Sequence, residues 1–129
     1  MRKKLMGIAL AGALAVPVFG ISTTAFAGGN EVIKTGSCSA SSDWKLKLKP
    51  DNGGLEVDLE VDQNVRGDTW RVRMRHDGVR FFKGERTTSG ASGSFDISVR
   101  EPDNAGTDSF VAKARNLTTD EVCVARASI

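Results

Sequence analysis

From Trp44 to Asp62 apolar and charged residues alternate almost one for one, with a single break at Pro50-Asp51-Asn52-Gly53-Gly54. Successive side chains of a strand point to opposite faces, so this pattern describes strands with one dry and one wet face. Trp44, Leu46 and Leu48 alternate with Lys45, Lys47 and Lys49. Leu55, Val57, Leu59 and Val61 alternate with Glu56, Asp58, Glu60 and Asp62. The break is turn chemistry, because Asn and Gly tolerate positive φ. A hairpin with Lys49 opposite Glu56 brings Lys47 to Asp58 and Lys45 to Glu60. It also sets Leu48 against Val57, Leu46 against Leu59 and Trp44 against Val61. A slip of one residue would turn every leucine into water, so this register is strongly specified. The blocks of like charge are then a solvated, charge-paired sheet face.

The same period continues in Trp70-Arg71-Val72-Arg73-Met74-Arg75-His76. Asp77-Gly78 is a type I′ hairpin signal, and Val79 to Lys83 returns. Further strands are predicted at about 93–100, 109–115 and 121–127, and no stretch keeps a helical period. About seven short strands separated by turn signals predict an all-β fold, an antiparallel two-sheet sandwich of immunoglobulin-like class. The sandwich domain is expected over residues 42–129, after a loose lead-in over 28–41. The inward set is read as Trp44, Leu46, Leu48, Val57, Leu59, Trp70, Val72, Met74, Phe81, Phe95, Ile97, Val99, Phe110 and Val122.

Residues 1–27 read as an export signal: Arg2, Lys3 and Lys4, an apolar run from Leu5 to about Ile21, then Ala25-Phe26-Ala27. The run is short for a membrane span and contains Pro17, so a secreted chain without a later span is expected. Three of the 18 basic residues fall in this segment, which leaves 15 against 16 acidic ones. A strongly basic nucleic-acid binder is excluded at the level of the whole domain. The two cysteines, Cys38 and Cys123, are expected to pair, as in other small exported domains. Closing a loop of about 86 residues constrains the unfolded chain by roughly 4 to 5 kcal/mol.

The Asp77-Gly78 hairpin, Pro102-Asp103-Asn104-Ala105-Gly106-Thr107-Asp108 and Asn116-Leu117-Thr118-Thr119-Asp120-Glu121-Val122-Cys123 resemble parts of immunoglobulin-like and fibronectin type III-like modules. The chain is also similar to small exported actinobacterial proteins that carry one such domain and no assigned activity. The resemblance covers most of residues 36–127 and implies no functional residues. The chain has no tyrosine for a tyrosine corner.

Chemistry is sparse. His76 is the only histidine, and it is read as a solvent-facing turn residue without a nucleophile, so no catalytic residue is assigned. Asp103, Asn104 and Asp108 hint at calcium without the EF-hand spacing; no metal or other cofactor is expected. Arg66-Gly67-Asp68 is an adhesion tripeptide and Asn116-Leu117-Thr118 a glycosylation sequon, both short enough to recur by chance. The arginines stand out. With Arg75 opposite Arg80, Arg73 opposite Phe82 and Arg71 opposite Gly84, residues Arg71, Arg73, Arg75, Arg80 and Phe82 are expected on one outer face. Like charges placed opposite each other call for an external anion or an acidic neighbour. Asp96, Glu101, Asp103 and Asp108 are the available internal partners, and Arg126 is expected outside the patch. The functional expectation is a non-enzymatic exported protein that binds an extracellular anionic polymer, such as one of the cell envelope. The alternatives are a structural or protein-interaction module that meets another extracellular protein and, remotely, a small enzyme using His76.

Overall fold

A computed structural model describes residues 30–129. The expected export signal, residues 1–27, lies outside the described residues. Eight strands, and no helix, occupy the described part: β1 (Val32–Ser37), β2 (Asp43–Asp51), β3 (Gly54–Asp62), β4 (Thr69–His76), β5 (Val79–Thr87), β6 (Ser94–Pro102), β7 (Ser109–Asn116) and β8 (Val122–Ser128). They form two antiparallel four-stranded sheets, ordered β1-β2-β3-β6 and β5-β4-β7-β8, packed face to face as a β-sandwich. The chain crosses between sheets after β3, after β5 and after β6.

The β2–β3 hairpin has the register that the charge pattern dictates, from Trp44 opposite Val61 to Lys49 opposite Glu56. Its turn takes positive φ at Asn52 (50°) and Gly53 (80°); the β4–β5 turn does the same at Asp77 (49°) and Gly78 (84°). Some expectations change. Within the lead-in, Val32–Ser37 is not loose, because it pairs along β2 from Val32 opposite Leu48 to Ser37 opposite Asp43. Gly36 is needed there: a Cβ on it would lie 2.5 Å from the Trp44 ring. In β8 the buried residues are Cys123, Ala125 and Ala127, so Val122 stands on the outer side opposite Arg115. Further changes concern β5, His76 and Arg126 and belong to the site below.

The core joins Leu46, Leu48, Leu55, Val57, Leu59 and Val61 of one sheet to Trp70, Val72, Met74 and Phe110 of the other. Four alanines, Ala112, Ala114, Ala125 and Ala127, complete the inner face of β7 and β8. Cys38 and Cys123 form a disulfide that ties the residues before β2 to β8. Beside it the buried Glu121 carboxylate accepts from Ala40 N at 3.1 Å, Ser42 N at 2.8 Å and Ser42 Oγ at 2.8 Å.

A polar chain closes the same end of the sandwich. The Trp70 indole N–H donates to Gln63 Oε1 at 3.0 Å, and Gln63 Nε2 donates to Asp68 Oδ2 at 2.6 Å. Asn116 Nδ2 reaches the same Asp68 oxygen at 3.0 Å, and Asn116 Oδ1 accepts from Thr118 N and Thr119 N. Two short motifs are thereby committed to the fold. The Asp68 carboxylate is held internally instead of being offered to an adhesion receptor. Asn116 is fully buried, so the folded chain has no accessible sequon amide.

The Gln63 bond, then the Asn116 bond, hold the Asp68 carboxyl below its ordinary value of 3.8. A lowered folded-state value adds stability above the ordinary pKa, and that stability is lost as pH falls through the lowered one. Thermal melts taken from about pH 6 down to about pH 3 should therefore show a smaller acid-induced drop in Asp68→Asn than in wild type. Parallel curves would refute this role for Asp68.

Candidate cationic face and histidine cluster

Alternation along β4 buries Trp70, Val72, Met74 and His76 and exposes Arg71, Arg73 and Arg75. The strands beside β4 decide what these arginines meet. On β7, Arg71 faces Arg115 and Arg73 faces Lys113. On β5, Arg71 faces Glu85, Arg73 faces Lys83 and Arg75 faces Arg80. Phe82 therefore does not oppose Arg73, nor Gly84 Arg71. The register shifts between Met74 and Arg75, leaving Phe81 as an extra residue on β5. Such a bulge admits two inward side chains in succession. Phe81 packs edge-on to Phe110 with centroids 5.9 Å apart, and Phe82 sits opposite Met74 under the Arg86 guanidinium at 5.4 Å. Both rings are half-buried against the core, so Phe82 leaves the arginine face.

The face gains more than it loses. Arg71, Arg73, Arg75, Arg80, Lys83, Lys113 and Arg115 share the exposed side of the β5-β4-β7-β8 sheet, and Arg126 joins them through its pairing opposite Val111. Arg126 thus belongs to the patch. Lys113 and Arg115 could be read as exposed from their alternation with Ala112 and Ala114. Their position beside Arg71 and Arg73 comes from β4–β7 pairing, which no local pattern specifies.

Compensation is thin. Arg71 reaches Glu85 at 3.3 Å and Arg115 reaches Asp120 at 2.9 Å, both exposed pairs of small energetic weight. Among the described residues, Arg73, Arg75, Arg80, Lys83, Lys113 and Arg126 make no ion pair. None of the four proposed internal partners comes to this face. Asp96 lies on the outer side of the other sheet opposite Glu60, while Glu101 and Asp108 bind His76 and Asp103 neighbours Asp108. Arg71, Arg73, Lys113 and Arg115 line a shallow depression of about 120 Å³. The other outer face is mixed: Lys45 pairs with Glu60 at 3.6 Å and Lys47 with Asp58 at 3.8 Å. A near-neutral composition therefore hides two faces of different charge.

His76 is not solvent-facing. It is 4% exposed and stacks on Phe110 with centroids 4.2 Å apart. Its Nδ1 lies 3.0 Å from Glu101 Oε1 and its Nε2 lies 2.6 Å from Asp108 Oδ1. Asp77 Oδ2 stands 3.7 Å from Nε2, and Asn104 Nδ2 stands 3.3 Å from it. Burial opposes the charged imidazole, but the bonds to Glu101 and Asp108 outweigh it and raise the His76 pKa above 6.5. Asp108 in turn raises the Asp103 carboxyl above its ordinary value, chiefly through a hydrogen bond between the two side chains. The loop of Asp103, Asn104 and Asp108 thus closes over the β4–β5 turn.

Comparison with protein-family models, with curated proteins and with solved structures gave no match.

Proposed function

We propose that this chain is a secreted, non-catalytic module of immunoglobulin-like class that binds an extracellular anionic polymer through the β5-β4-β7-β8 face. The observation that carries this is the depression lined by four cations, two of which, Arg73 and Lys113, lack an acidic partner among the described residues. A flat row of cations suits a repeating polyanion, because each phosphate or carboxylate can meet a guanidinium without a deep pocket. The half-paired edges at Glu85 and Asp120 leave the centre as the strongest anion seat. Secretion is supported by the disulfide.

The test is heteronuclear NMR of the labelled protein titrated with a short glycerol-phosphate oligomer. Amide and guanidinium shifts should cluster on β4 and β7 around Arg73 and Lys113. They should fade as salt rises, since the screening length shrinks to about 8 Å at physiological strength. Shifts centred on the Lys45–Lys49 face, or none at low salt, would leave a structural module without this ligand.

A further inference from the structure

The His76 cluster gathers more carboxyl groups than its one imidazole can balance, although Ser109 N donates to Asp77 Oδ1 at 2.8 Å and Asn104 N to Asp108 Oδ1 at 3.1 Å. Asp77, Glu101 and Asp108 make ion pairs only with His76, and Asp103 makes none, among the described residues. One imidazole, at most singly charged, thus faces four carboxyl groups at one end of the sandwich. Asp108 is 1% exposed, so solvent does little to relieve it.

The division of labour around the ring is informative. Glu101 takes Nδ1, which directs Nε2 toward Asp108 and Asp77. Metal-binding histidines have this arrangement, with a carboxylate on the far nitrogen fixing the tautomer and ring orientation. A neutral ring held this way presents its Nε2 lone pair to the Asp108 carboxylate, so a proton or a cation has to occupy the space between them. His76 Nε2 and one oxygen each from Asp77 and Asp108 all lie within 4.8 Å of one another. Ligands of a tetrahedral zinc ion with bonds of 2.0 to 2.2 Å stand about 3.3 Å apart, so small side-chain shifts would suffice.

We propose that His76 Nε2, Asp77 and Asp108 form a binding site for a divalent transition metal ion of the zinc type, with Glu101 as the positioning residue behind His76. The imidazole distinguishes this set from a calcium site, which takes six to eight oxygens. Asp108 and His76 are buried and Asp77 is on the rim, so the ion has three protein ligands and an open side for water. Asn104, whose amide donates to Asp77 Oδ2 at 3.1 Å, must turn away as the ion enters. The site lies at the β4–β5 turn, apart from the Arg73 and Lys113 depression, and does not depend on the reading of that face.

The experiment uses untagged, metal-stripped protein titrated with Zn²⁺, followed by calorimetry and by the imidazole nitrogen resonances of the single histidine. One ion should bind per chain, and the His76 Nε2 resonance should move to a metal-bound position. Asp108→Asn and Asp77→Asn should each weaken binding at least tenfold, and Glu101→Gln by about 10- to 100-fold. Ca²⁺ should bind at least tenfold more weakly than Zn²⁺. Asp77→Asn is the variant least able to disturb folding, because Asn also tolerates the positive φ of that turn. If saturating Zn²⁺ leaves the His76 nitrogen resonances unmoved, the site does not exist. Undiminished binding in both aspartate variants would also overturn it.

Discussion

Removing the disulfide with Cys38→Ala and Cys123→Ala together should lower the melting temperature by roughly 15 to 30 °C. The bridge closes a loop of 85 residues in sequence separation, nearly the whole sandwich. Its loss returns about 4 kcal/mol of conformational freedom to the unfolded chain. For a domain near 100 residues each kcal/mol moves the melting point by roughly 4 to 8 °C. Alanine is the better replacement, because Cys123 is 1% exposed and a serine there would add a buried hydroxyl to the cost. The native contacts near the bridge should survive its removal. Glu121 still clamps Ala40 and Ser42, and Ser39 N still donates to Val122 O at 2.8 Å. The variant should therefore keep the wild-type sheet signal in circular dichroism at low temperature. The measurement is a pair of thermal melts, the variant against wild type, with reduced wild type as a third curve. Melting points within a few degrees of each other would mean that the bridge does not restrain the unfolded state.

How much of this could be read in the sequence follows from the range of each interaction. The β2–β3 hairpin was fully legible, because alternation, turn residues and complementary charge all act over neighbouring residues. The β4–β5 register was legible only as far as Arg75 opposite Arg80, the second pair from the turn. Beyond it, two consecutive phenylalanines favour a bulge that buries both, and packing against Phe110 and the core overrides simple alternation. β1 was missed because Val32–Ser37 contains little apolar surface; its strand form depends on the edge of β2. Ala112, Ala114, Ala125 and Ala127 were missed because alanine is a weak burial signal.

His76 is the instructive failure. The parity that places Trp70, Val72 and Met74 inward also places His76 inward, so its burial was implicit in the same pattern. What the sequence could not specify was the company it keeps, since Glu101 and Asp108 lie 25 and 32 residues away. The cationic face divides in the same way. Arg71, Arg73 and Arg75 follow from one strand, whereas Lys113, Arg115 and Arg126 join only through the nonlocal order of the sheet.

That order makes the anion-binding claim sharper than a count of arginines. Arg73 and Lys113 are cross-strand neighbours without acidic partners among the described residues, at the centre of the face. Lys45 and Lys49 lie on the other sheet opposite Glu60 and Glu56. Arg73→Gln with Lys113→Gln removes as much charge as Lys45→Gln with Lys49→Gln, so net charge cannot separate the two pairs. A cation beside an anionic surface contributes about 1 kcal/mol, so losing two from the contact lowers affinity roughly 30-fold. Losing two lysines that face carboxylates on the far sheet should change it little. The decisive measurement is the affinity of wild type and both double variants for an immobilised phosphate-backbone polymer at one low salt concentration, with melts to verify that each is folded. A roughly 30-fold loss is expected for the Arg73 and Lys113 pair and less than threefold for the Lys45 and Lys49 pair. Equal losses in the two pairs, or no binding by wild type, would rule out anion binding through this face.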